Sequence, residues 1–417
     1  MRSSLRLARA IFVSSSVLAL LAGPDMPGKN SGDDRLREAE KKLKTSPDSF
    51  QAYNDLAAAL CRRARDTGEV SLYDRADSVL QRSQQLSPGN YDARKLEVLV
   101  LIGRQDYLRA LPLAQAINHS VPDDIAGWAF LVDANIGLGN YSEAERDAQW
   151  ILDLRQGNAL GFEKAAALRE LFGDTPGAVE FVDEAYRRTS ANDTDQRAWL
   201  LLQKSRLQLH AGYRAEAGIT LAQARQINPG SLLALKIEAR LRAAEGKPQD
   251  ALALVQRCYE RVPSTANLYA VAEMLERSGR MADANLAFQR FAREAQAGVE
   301  RPGNPTVQLV LYKLDRENDK PTALPLAAKL AAERHDCATL DAFAWALYKN
   351  GKFNEAKQQE ERALAVGVRD PQYFCHAIEI SSRAGDPAAA HNFKRELETF
   401  DGYICPADFS TRTEARQ

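Results

Sequence analysis

An all-α solenoid of about ten stacked helix pairs is the fold class this sequence predicts, and three observations carry that expectation. The chain is 45% apolar but only 7% aromatic. Ala and Leu, rather than Val and Ile, supply the apolar residues, which favours helix over strand. A short pattern then recurs: Gly, a polar or aromatic residue, and a helix that opens with Ala. That Ala falls at Ala76, Ala110, Ala144, Ala178, Ala217, Ala251, Ala284, Ala323, Ala356 and Ala390, at spacings of 34, 34, 34, 39, 34, 33, 39, 33 and 34 residues. A 417-residue chain would ordinarily split into two or three domains. In an array each unit packs on its neighbours instead, so a single long body is expected.

The elements follow in order. Residues 1–23 read as a secretory signal, with Arg2, Arg6 and Arg9 preceding an apolar stretch from Ala10 to Gly23 that contains no acid. The stretch is short for a membrane-spanning helix. An uncleaved anchor is the alternative to an exported, periplasmic chain. Residues 24–48 read as a linker and a capping helix from Asp34 to Lys44. Residues 49–397 hold the repeats. Their clearest copies are GNYSEAERDAQWIL from Gly139, GYRAEAGITLAQA from Gly212, GKPQDALALVQRC from Gly246, GRMADANLAFQRF from Gly279 and GKFNEAKQQEERAL from Gly351.

Each marker Ala lets the second helix of a pair approach the first closely, and Pro88, Pro122, Pro229 and Pro263 close second helices. The two 39-residue spacings mark polar, turn-rich insertions, TSANDTD from Thr189 and AGVERPGNPT from Ala297. A longer internal loop is expected around CRRARDTGEVSLYD, setting the first pair of helices apart. Residues 398–417 are expected to cap the last repeat and trail off.

A period near 34 residues in ten registers resembles the tetratricopeptide repeat. The resemblance implies a right-handed superhelix of antiparallel helix pairs whose first helices line a concave groove. It also implies other proteins or peptides as partners. LDAFAWALYKNGKFNEA followed by YFCHAIEISSRAGD is similar to the closing repeats of bacterial exported tetratricopeptide proteins, a likeness that bears on location.

Chemistry is harder to find. The five His are scattered, so no metal site is expected, and no nucleophile elbow or phosphate loop stands in a usable context. No cofactor and no catalysis are expected. The net charge of −1, with both signs interspersed, gives no reason for a nucleic-acid partner, and a membrane is met only through an uncleaved N-terminal segment. Five widely spaced Cys are no disulfide framework. Cys375 and Cys405 form a candidate pair, because an exported chain meets an oxidising compartment and the second would sit in the cap over the first. Two unrelated thiols are the other reading.

Carrying the family's groove positions onto this chain places Trp199, Tyr269, Tyr312, Trp345 and Tyr348 toward the groove, with Arg206, Lys236 and Arg240 beside them. Aromatics and Arg are the residue types that anchor interfaces, so a groove in the C-terminal half preferring acidic or C-terminal peptides is expected. Against this stand two plainer readings: Trp345 as core filler, and the cations as a solvated helix face. A scaffold using its groove is the leading functional expectation. An assembly factor organising an envelope complex through its outer face is the alternative.

Overall fold

The ten marker alanines are buried, nine of them at 0–1% exposure, each at the point where the two helices of a pair touch. In the computed structural model, which describes residues 32–400 and Cys405, they organise ten antiparallel pairs behind a capping helix. The capping helix is α1 (Gly32–Thr45). The pairs are α2 (Phe50–Thr67) with α3 (Ser71–Leu86), α4 (Tyr91–Gly103) with α5 (Tyr107–Ser120), and α6 (Ile125–Leu138) with α7 (Tyr141–Leu154). Then come α8 (Ala159–Leu171) with α9 (Thr175–Arg188), α10 (Thr194–His210) with α11 (Arg214–Ile227), and α12 (Leu232–Ala244) with α13 (Pro248–Arg261). The last four are α14 (Thr265–Arg277) with α15 (Met281–Ala297), α16 (Thr306–Tyr312) with α17 (Lys320–Glu333), α18 (Cys337–Lys349) with α19 (Phe353–Leu364), and α20 (Pro371–Arg383) with α21 (Pro387–Glu398).

Local sequence accounts for the boundaries. Side chains of Ser49, Asn90, Asp124, Asn158, Ser231, Ser264, Asp336 and Asp370 accept hydrogen bonds from the first-turn amides of first helices. The expected long loop in repeat 1 is absent, because CRRARD continues α2 and only residues 68–70 connect it to α3. The two insertions lengthen α10 and α15 to 17 residues each as well as the adjoining connections. In repeat 8 the first helix ends in a π turn, Lys313–Glu317, closed by Asn318 at φ 55°.

The solenoid also packs against itself. The turns within repeats 2, 3 and 4 lie on the connections entering repeats 8, 9 and 10, six repeats further along. The Arg334 guanidinium lies 5.6 Å from the Tyr107 ring centroid. His335 donates its backbone N–H to Leu138 O at 2.8 Å, and the Tyr141 hydroxyl accepts from the Cys337 N–H at 2.8 Å. Gly139 (φ 85°) and Gly173 (φ 79°) face this seam so closely that a Cβ would overlap the carbonyl groups of His335 and Gly367. Cys337 and Tyr373 belong to the same apolar core as Leu56, Leu99 and Phe130. At the N-terminal end, Arg35 pairs with Asp195 at 3.2 Å and Arg65 lies 4.8 Å from the Trp199 ring.

Among the described residues no helix is long and apolar enough to cross a membrane. The signal expected at 1–23 and the cap beyond Phe400, Cys405 excepted, lie outside the described residues.

Candidate interaction groove

Polar rungs tie several of the first helices to the next. Asp133 on α6 receives Lys164 of α8 at 2.5 Å, both almost fully enclosed. Burial lifts the Asp133 carboxyl to about 6, against the opposing pull of Lys164. Glu163 on α8 accepts from Trp199 Nε1 at 3.1 Å and from Gln196 at 2.8 Å on α10. Glu170 takes both guanidinium nitrogens of Arg206, at 2.5 and 2.6 Å. Burial alone would raise the Glu170 carboxyl, yet Arg206, helped by His210, holds it well below the usual carboxylate range.

Further along, Arg316 reaches back to both oxygens of Glu276 on α14 at 3.1 and 2.7 Å, while Asp315 accepts from Trp345 Nε1 on α18 at 2.8 Å. The π turn makes this possible. Its extra residue re-aims two consecutive charged side chains, one toward the preceding repeat and one toward the next.

These rungs correct part of the sequence reading. Trp199, Tyr312 and Trp345 are buried, at 4%, 6% and 5% exposure, and fill the space between neighbouring repeats and the seam. Tyr312 packs on Phe288 and Phe291. Trp345 is stacked on Tyr348 and His376. Arg206 is no free cation, since Glu170 neutralises it from the preceding repeat. Tyr269 is half-buried with its ring edge-on to Phe288 and Phe291, and half-buried Tyr348 meets Glu379 at 3.3 Å.

Lys236 and Arg240 remain, half-buried on the concave side of α12. Lys236 Nζ lies across from Gly68, 3.2 Å from where a Cβ on that glycine would stand. Among the described residues no carboxylate lies within ion-pair distance of Lys236. Burial pushes its ammonium pKa down, with the Cys258 sulfur opposing and Arg240 adding to the effect. On α14 burial lifts the Glu273 carboxyl to about 7, opposed by Arg277, Arg316 and Arg240. Repeats 6 and 7 are thus where the row of rungs changes character. Here an ammonium with three donors lies between α12 and the end of α2, with no carboxylate of the described residues in ion-pair distance.

The sequence reading missed Glu170, Glu276 and Asp315, acids that complete the rungs. Their signal is a donor side chain one repeat away, 30 to 40 residues along the chain, Arg206 for Glu170, Arg316 for Glu276 and Trp345 for Asp315. The structure joins Cys375 to Cys405, with Cα atoms 5.6 Å apart. Cys61, Cys258 and Cys337 are free and buried. Among the described residues no group of three His, Cys, Asp or Glu is arranged to hold a metal ion.

No family model matches the chain, and no curated protein sequence does. Solved structures do. The crystal structure of the APC/C hetero-tetramer Cut9–Hcn1 superposes with a TM-score of 0.51 at 15% identity, over 91% of this chain and 62% of that one. This chain therefore spans about three-fifths of the length of that neighbour. A human IFIT1 dimer with PPP-AAAA gives 0.48 at 12% identity, covering 88% and 95%. PilW, a type IV pilus biogenesis factor, gives 0.40 at 16% identity, covering 51% and 94%.

Proposed function

The fold is a tetratricopeptide-type α-solenoid, and from that premise we propose that this chain is a non-catalytic scaffold of the cell envelope or exterior. It holds an acidic segment of another protein against the concave face of repeats 6 and 7. The observation that carries this reading is Lys236, a part-desolvated ammonium on the groove wall with no carboxylate of its own. A carboxylate arriving from a partner would meet Lys236 with Arg240 beside it, and a concave, water-poor wall strengthens that attraction. Tyr269, half-buried on α14, offers an aromatic surface in the next repeat. Export is supported by the basic-then-apolar N-terminus and by the Cys375–Cys405 bond, which suits an oxidising compartment.

The outer face offers a second reading as an assembly factor. Leu108, Trp150, Ile219 and Leu286 on the second helices are 50–65% exposed. Photo-crosslinking residues placed at Tyr269, and separately at Ile219 and Leu286, distinguish the two in the native host. Adducts from Tyr269, lost on Lys236→Glu in a chain that keeps its melting temperature, are the expected result. Adducts only from Ile219 and Leu286 would transfer the role to the outer face.

A further inference from the structure

The last two repeats enclose an acid–base cluster behind the Asp315–Trp345 rung. His376 Nδ1 on α20 lies 2.7 Å from Asp341 Oδ1 on α18. Trp345 lies flat on the His376 ring, with centroids 4.2 Å and planes 12° apart. Glu360 enters from α19 at 2% exposure, and neither of its carboxylate oxygens has a hydrogen-bond partner. Asp315 of the π turn, Asp370 at the start of α20 and Lys349 of α18 complete the charged surroundings. Tyr373, Asp336 and Cys337 border the cluster on the side of the seam.

Asp341 and Asp315 act on the imidazole, Glu360 and Asp370 act on Asp341, and two cations lie at the edges, Lys349 3.7 Å from Asp315 and Arg334 2.5 Å from Asp336. A carboxylate enclosed without a donor is expelled toward its neutral form. Glu360 fits the site as an acid that keeps its proton, and the Asp341–His376 pair fits as two groups sharing one. Removing either proton leaves an extra negative charge enclosed among Asp341, Asp315 and Asp370.

We propose that Asp341, Glu360 and His376 form a pH-sensitive clasp, closed while protonated, whose release loosens repeats 9 and 10 from the seam made by Cys337 and Tyr373. The direction follows from proton linkage. Burial, reinforced by the Asp341 charge, holds the Glu360 carboxyl well above its ordinary 4.5. Burial would lower the His376 imidazole, but Asp341 outweighs it and holds the ring above its ordinary 6.5. Both groups bind their protons more tightly when folded. Their stabilisation is whole below the unfolded-state values and is lost as pH rises through the raised folded-state values. Within that window the opening constant of the clasp climbs about tenfold per pH unit for each proton concerned.

The test is hydrogen exchange on the full chain between about pH 6 and about pH 9, expressed as protection factors for residues 337–349 and 371–383. Protection is expected to fall with pH in the wild type. Glu360→Gln, a neutral group of the same shape, should be as protected at the acid end and flatten the fall at the alkaline end. A second readout is the emission attributable to Trp345, taken as the difference between wild type and Trp345→Phe. It should rise as the stacked imidazolium, a quencher, loses its proton. Protection that stays level in the wild type, or an unchanged slope in Glu360→Gln, would overturn the clasp. A Trp345 emission indifferent to pH would remove His376 from it.

Discussion

Helices α6 and α14 occupy the same place in their repeats and share a length to within one residue, yet they live in different surroundings. In α6 thirteen of fourteen residues are buried, whereas in α14 six of thirteen are. IAGWAFLVDANIGL carries a single charge, Asp133, and that charge is answered by Lys164. TANLYAVAEMLER carries Glu273, Glu276 and Arg277, and Glu276 is answered by Arg316. A helix apolar on all sides is buried on all sides. Here the extra cover comes from the seam, because Leu138 and Gly139 meet His335 across it. The N-terminal repeats have used their edges on the molecule itself, while α14 keeps more of its surface uncovered.

The largest way to break this contrast is at Gly139. Gly139→Ala introduces a Cβ into the His335 carbonyl as well as an unfavourable left-handed conformation, so a loss of about 4 kcal/mol or more is expected. Gly246→Ala, with φ 77° and open space around it, isolates the conformational part and should cost about 1–2 kcal/mol. Urea unfolding of the two variants measures the difference, which is the seam's own contribution. Next in size is Lys164→Ala, which strands Asp133 in the core; about 3–5 kcal/mol is expected. Its counterpart on the open side, Arg316→Ala, removes a rung that water still reaches, and about 1 kcal/mol or less should be lost. Between these two, Tyr141→Phe leaves the Cys337 N–H without its acceptor and should cost about 1–2 kcal/mol.

The repeat itself was legible because its signal is local. A marker Ala about every 34 residues, a preceding Gly and a closing Pro are each read within one helix pair, and the helix pairs fall where those marks put them. The insertions after Thr189 and Ala297 were legible for the same reason. The groove assignment of Trp199 and Trp345 failed because family register says which way a residue points, not what has come to rest against it. Trp199 meets Arg65 and Glu163, and Trp345 meets His376 and Asp315.

The seam was invisible for a related reason. Tyr141 and Cys337 are 196 residues apart, and Gly139 looks like any other helix-ending glycine because one residue type answers two separate demands. The π turn left only a trace, the lengthened spacing between Ala284 and Ala323, which an ordinary loop explains equally well.

The central claim is that the solenoid closes on itself, so that only part of its concave face is available. Cys337 reports on this directly. It opens α18 at the edge of a connection, where an uncoiled solenoid would leave it to solvent, yet it is 1% exposed with its sulfur 3.2 Å from the Tyr141 hydroxyl. Burial, opposed by that hydroxyl, pushes its thiol up to about 12. The decisive measurement is the rate at which a small thiol reagent labels Cys337 in the native chain, with each cysteine resolved by peptide mass. Closure predicts labelling as slow as that of core-buried Cys61 in the wild type and much faster labelling of Cys337 in Gly139→Ala. Rapid labelling of Cys337 in the folded wild type, with Cys61 still protected, would contradict it.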